Sequence, residues 1–136
     1  MVGARRKIRM LVIQALYEAD SVGHEAEKVL DRLLGEEELS EDNASFACEL
    51  VKGVAQNKEK IDENIRRFAP AWPIAQIPVI DRNILRLAIF EILLDNKVPV
   101  RVAINEAVEL AKLFGSGSSP KFVNGVLGSV STLVNR

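Results

Sequence analysis

The chain is poor in the side chains that do most enzymatic work. One cysteine, Cys48, and one histidine, His24, stand among its 136 residues. A lone cysteine excludes an internal disulfide and suits a reducing compartment; Cys48 reads as a small core residue. His24 precedes an acidic helix and Cys48 lies on a different one, so no His, Cys and Asp group has metal-ligand spacing. Neither a Walker loop nor a GxGxxG turn is present. The carboxylates fall on surface-facing positions, where they read as solvated polar groups. The expectation is a binding protein with no cofactor, not an enzyme.

Long apolar runs are missing too. The longest lies within Ile84 to Leu94, is interrupted by charge, and falls well short of the roughly 20 residues of a membrane span. The basic start of the chain is followed by Gln14, Glu18 and Asp20, which does not read as a signal peptide. With 48% apolar and 27% charged residues, the composition is that of a soluble globular domain able to bury its own core. These features place the protein in the cytoplasm, away from membranes.

Net charge is only −1, but the charges are segregated. Residues 1–17 carry Arg5, Arg6, Lys7 and Arg9 and no acid, whereas residues 18–42 carry ten acids against Lys28 and Arg32. That distribution points to a localised basic site.

Alternation of period two is absent, and apolar residues recur at spacings of three and four. Seven helices follow. The first, from about Ala4 to Asp20, offers Ile8, Leu11, Val12, Ala15, Leu16 and Ala19 to a core. A second covers about Glu25 to Leu34 and stops at Gly35. Ser40 caps a third with the stripe Ala47, Leu50, Val51 and Val54, and a fourth near Lys58 to Phe68 shows Ile61, Ile65 and Phe68. Pro70, Pro73 and Pro78 then forbid a continuous helix. The segment 69–78 reads as a hinge pinned by Trp72 and Ile74, dividing an N-terminal group (about 1–69) from a C-terminal one (about 79–136). Val79 to Leu94 is apolar almost all round, the pattern of a central helix. Its charges Asp81, Arg82, Arg86 and Glu91 are expected at its ends or exposed edges. Arg101 to Phe114 and a helix from Pro120 onward complete the set, the last capped by Ser118 or Ser119. Gly125 and Gly128 within it read as sites of close helix packing.

Two places could hold a ligand. On the first helix Arg6, Met10, Ile13 and Tyr17 fall together opposite the core stripe, beside the basic run. Arginine presents forked donors to phosphate and a flat face to bases, and an exposed tyrosine can stack on a base. The same face could instead carry a homodimer or a protein partner. At the start of the last helix, backbone N–H groups beside Lys121 and Asn124 suit a phosphate, and Phe122 lies off the core stripe.

Four blocks carry a resemblance: ARRKIRMLVIQALYEAD, PVIDRNILRLAIFEIL, VPVRVAINEAVELAKLFG and SxKFVNGVL. In this order and spacing they closely resemble the NusB family of transcription antitermination proteins, across essentially the whole chain. The resemblance implies an all-α, seven-helix domain of two subbundles. It implies binding of a short single-stranded RNA signal, boxA, together with NusE, a small-subunit ribosomal protein. The pair would help RNA polymerase resist termination, notably on ribosomal RNA operons. It further implies Arg5, Arg6, Lys7 and Arg9 as an arginine-rich RNA contact, continued by Tyr17, Arg86, Lys121, Phe122 and Asn124. Asp81 falls near both RNA and the ribosomal partner, and either assignment is open. Some family members dimerise through the RNA-facing side, so a homodimer is also allowed.

Overall fold

The computed structural model describes residues 3–136, and the described residues are helical with no strand. Two compact units divide the chain, Met1–Gln56 and Asn57–Arg136.

The first unit is a three-helix group: α1 (Ala4–Val22), α2 (Ala26–Gly35) and α3 (Glu41–Gln56), each packed on the other two. Helix α1 runs past Asp20 because Gly23 adopts a left-handed φ of 76° and returns its N–H to the Ala19 carbonyl. Glycine alone adopts that conformation without steric cost. With neighbours on two sides, α1 buries a wide arc instead of one stripe. Ile13 is fully buried within that arc, contrary to its expected place beside Met10 and Tyr17. The Ser40 cap on α3 is present: the Asn43 N–H donates to Ser40 Oγ at 3.1 Å.

The second unit holds α4 (Lys58–Phe68), α5 (Val79–Ile89), α6 (Val100–Phe114) and α7 (Ser119–Val130). Helix α4 packs on α5 and α7 through Ile61 and Ile65, both fully buried. Burying each isoleucine contributes about 1.5–3 kcal/mol. The division of the chain therefore falls at Gln56–Asn57 and not within 69–78. That proline-rich segment contains a single 3-10 turn, Ile74–Gln76. Trp72 is 52% exposed, so it is not the pin; the buried Ile77 and Ala69 are.

Helix α5 is the core element of this unit, packed by α4, α6 and α7. It passes into a π-helical segment, Phe90–Asp95, that ends on Asn96 with φ 57°. The Arg136 guanidinium caps that end, donating to the carbonyls of Glu91, Ile92 and Val98 at 2.6–3.2 Å. Such donors satisfy carbonyls that a helix terminus leaves without internal partners.

Candidate nucleic-acid interface

In the first unit the basic residues of α1 divide between two directions. Residues 5 and 9 are one helical turn apart and reach the same neighbour on α3. The Arg5 guanidinium lies 3.9 Å from the centroid of the Phe46 ring, and that of Arg9 lies 5.3 Å away. Arg5 stays exposed, but Arg9 is only 3% exposed. Arg9 therefore belongs to the packing of α1, correcting its assignment to the RNA contact. Lys7 points elsewhere and pairs with Glu37 at 3.0 Å, while Arg6 is half-buried. Tyr17, 46% exposed, lies on the Arg6–Met10 face two turns or more further along. The exposed array in this unit is thus Arg5, Lys7 and Tyr17, edged by Arg6 and Met10.

The acidic end of α1 is held separately. Glu18 accepts from Arg32 of α2 at 2.6 Å and contacts the His24 ring at 2.9 Å. The Arg32 contact first, and the His24 contact second, hold the Glu18 carboxyl below its ordinary 4.5. Burial pushes the Cys48 thiol above its ordinary value, which leaves it a poor nucleophile near neutrality.

In the second unit Arg86, expected at RNA, and Asp81, expected at either RNA or the ribosomal partner, turn inward. Arg86 of α5 and Asp62 of α4 form a forked pair, Nε to Oδ1 at 2.8 Å and Nη2 to Oδ2 at 3.1 Å. Arg86 is 5% and Asp62 7% exposed. Asn83 completes the network: its Oδ1 accepts from Arg86 Nη1 at 3.3 Å and its Nδ2 donates to the Val79 carbonyl at 2.8 Å. Asp81 is buried as well and accepts from the Ser119 hydroxyl at 2.7 Å. Asp81 and Arg86 therefore do not sit on exposed edges, although Asp81 does lie at the first turn of α5, and Arg82 is only half-buried. Asp81 and Arg86 can be buried because each has a polar partner, the condition for holding charge away from water.

Ser119 is the joint between α5 and the start of α7. Its Oγ also accepts the Ser116 N–H at 2.9 Å. Ser118 stands at the N-cap without a side-chain cap, its hydroxyl 3.2 Å from Ser116 Oγ, and the Ser119 hydroxyl is committed to Asp81. The close approach of Ser119 explains Gly115. A Cβ at that position would stand 2.4 Å from Ser119 Oγ and 2.8 Å from the Ala111 carbonyl.

This joint fixes where α7 begins and which side of it faces out. Lys121 and Asn124 are exposed, Phe122 is half-buried, and Val123, Val126, Leu127 and Val130 are buried. Gly125 and Gly128 share the exposed side, and a Cβ at either would meet nothing within 4 Å. They do not serve helix packing, contrary to expectation; they leave the surface beside Asn124 flat.

Elsewhere in this unit an apolar groove of 270 Å³ is lined by Ile61, Ile89, Leu93, Leu94 and Leu133, with Lys60 and Asn64 as its polar groups. Among the described residues no three His, Cys, Asp or Glu side chains are placed to hold a metal, and no helix is long and apolar enough to cross a membrane.

Sequence reasoning missed the inward turn of Arg9, Arg86 and Asp81, and it missed Phe46. Phe46 lies beside the α3 core stripe, not in it. An aromatic off the stripe, together with arginines at i and i+4 on a neighbouring helix, was the available signal.

Among the described residues, seven α-helices in two units, with a basic, tyrosine-bearing face on α1, define an all-helical protein without strands. Comparison with known proteins specifies it further. The model of the NusB family matches residues 6–132. A transcription antitermination protein NusB from Dehalococcoides mccartyi (strain CBDB1) is 60% identical over 131 residues, covering 96% of this chain and 92% of its own. The solved T. maritima NusB superposes with a TM-score of 0.89 at 34% identity, over 97% of this chain and 93% of that one. A structure of antitermination factors NusB and NusE in complex with dsRNA shares the fold, with a TM-score of 0.88 at 24% identity over 98% of this chain and 100% of that one. The chain belongs to the NusB family.

Proposed function

We propose that the protein is an RNA-binding transcription antitermination factor of the cytoplasm. It binds boxA-type single-stranded RNA together with NusE and makes RNA polymerase resistant to termination, notably on ribosomal RNA operons. Family membership over nearly the whole chain carries this reading. The exposure of Arg5, Lys7 and Tyr17 on α1, and of Lys121 and Asn124 on α7, supports it. The role needs binding groups and no reacting atom: cations for phosphates, and Tyr17 and Phe122 as surfaces on which unpaired bases stack. Arg9, packed on α3, and Asp81, bonded to Ser119 at the start of α7, act behind these groups, whereas Arg86 joins α5 to α4. Burial of Ile13 removes one apolar member from the face that a homodimer would use, which favours RNA as its occupant.

Four cations remain for RNA: Arg5, Arg6, Lys7 and Lys121. Contact with four phosphates gives a slope of about −3 in log affinity against log salt on a single strand. Replacing Arg5, Arg6 and Lys7 with Ala should reduce the slope to roughly −1 while helicity by circular dichroism stays intact. An affinity indifferent to salt, or a slope unchanged in the triple variant, would place the site elsewhere.

A further inference from the structure

Phe46 poses a question that the binding role does not answer. It is a half-buried aromatic on α3, outside the helix's buried stripe, and both Arg5 and Arg9 lie over its ring. The two arginines meet this platform differently. Arg9 is buried there and is part of the packing, whereas Arg5 is exposed at the edge.

The manner of holding matters for binding. Arg86 is fixed by a carboxylate fork that uses its N–H donors. Lys7 pairs with the carboxylate of Glu37, which takes up one of its three ammonium donors and offsets its charge. Arg5, by contrast, is held over an aromatic ring, its guanidinium carbon 3.9 Å from the Phe46 centroid. A cation over an aromatic face is attracted by the ring quadrupole, and the five N–H donors in the guanidinium plane keep their capacity for other acceptors. Stacking also restricts a side chain that otherwise loses substantial rotamer freedom on binding. The ring therefore orders the arginine beforehand and leaves its hydrogen-bonding edge available.

We propose that Phe46 is a positioning residue for RNA: it preorganises the Arg5 guanidinium for a phosphate or base without consuming its donors. The proposal rests on the RNA reading above, and its test separates the two. Binding of a short single-stranded boxA-type RNA is measured by fluorescence anisotropy for Arg5→Ala, Phe46→Leu, the double variant and Phe46→Tyr, each checked for a cooperative thermal transition. Arg5→Ala alone tests whether Arg5 contacts RNA; no loss there sinks the RNA assignment of Arg5, and the proposal with it. If Arg5→Ala weakens binding, Phe46→Leu should weaken it roughly fivefold in the native background. It should have almost no effect in the Arg5→Ala background, and Phe46→Tyr, which keeps the aromatic face, should bind like the native chain. Equal losses from Phe46→Leu in both backgrounds would make Phe46 merely structural and overturn the proposal, as would no loss in either. Should Phe46→Leu fail to fold, Phe46→Met takes its place in the same cycle, because it fills the volume without a ring.

Discussion

Replacing Asp62 with Ala strands a buried charge. The Arg86 guanidinium would lose its forked carboxylate in a site where it is 5% exposed. Removing one partner of a buried pair costs about 3–5 kcal/mol, because the remaining ion has lost both water and counter-charge. Folded domains are stable by only about 5–15 kcal/mol, so this is a large share of the total. A chain of 136 residues shifts its melting midpoint by roughly 4 °C per kcal/mol. Asp62→Ala should therefore melt roughly 12–20 °C lower in a calorimeter. Replacing the pair together, Asp62→Leu with Arg86→Met, should recover most of that loss, since an apolar pair of similar volume needs no solvation. Below every variant's transition, Arg86→Met should bind RNA within about twofold of the native chain, a change inside the ordinary scatter of small surface perturbations. A midpoint shift under about 3 °C for Asp62→Ala would refute the structural role of the pair. A tenfold loss of affinity in a well-folded Arg86→Met would return Arg86 to the RNA surface.

The Ser119 joint gives a second test: Ser119→Ala leaves the buried Asp81 without its hydroxyl donor and should cost about 1–3 kcal/mol. Gly115→Ala should destabilise by a similar ~1–3 kcal/mol, because its methyl group collides with Ser119; a neutral effect of both in thermal melts would refute the joint. Glu18 predicts a pH dependence. Its folded-state pKa is lowered by Arg32 and then His24, so its contribution is present above the unfolded value near 4.5 and is lost as pH falls through the lower folded value. Glu18→Gln should flatten the acid limb of melting midpoint against pH between the unfolded and the lower folded value, and an unchanged limb would contradict the assignment. Tyr17→Ala and Phe122→Ala should each lose about 1–3 kcal/mol of RNA affinity if they stack on bases; full affinity in both would leave the site without its stacking surfaces.

The helices were legible in the sequence because their apolar spacings carry the buried faces directly. Val123, Val126, Leu127 and Val130 are buried as spaced, and Ser40 caps α3 as its position suggests. What periodicity could not convey was which charges find partners. Arg86 and Asp81 look like surface residues on a wheel, and only the meeting of α5 with Asp62 and Ser119, 24 and 38 residues away in sequence, makes their burial possible. Arg9 and Ile13 were misplaced for a related reason: a wheel reports one stripe, and α1 has neighbours on two sides. Trp72 was expected to pin the 69–78 segment to the core, but it is exposed and Ala69 and Ile77 are buried instead. Of the residues proposed for RNA, Arg5, Lys7 and Tyr17 are exposed on the first unit and Lys121 and Asn124 on the second. Their support by Phe46 and Ser119 was not legible in the sequence, because it depends on contacts between helices.

The most direct test of RNA-dependent antitermination is a titration of the intact protein with a boxA-type RNA and a scrambled RNA of equal length, each with and without NusE. The account predicts tighter binding of the boxA-type strand, with the preference increased by NusE. Equal binding of the two strands under both conditions would contradict it.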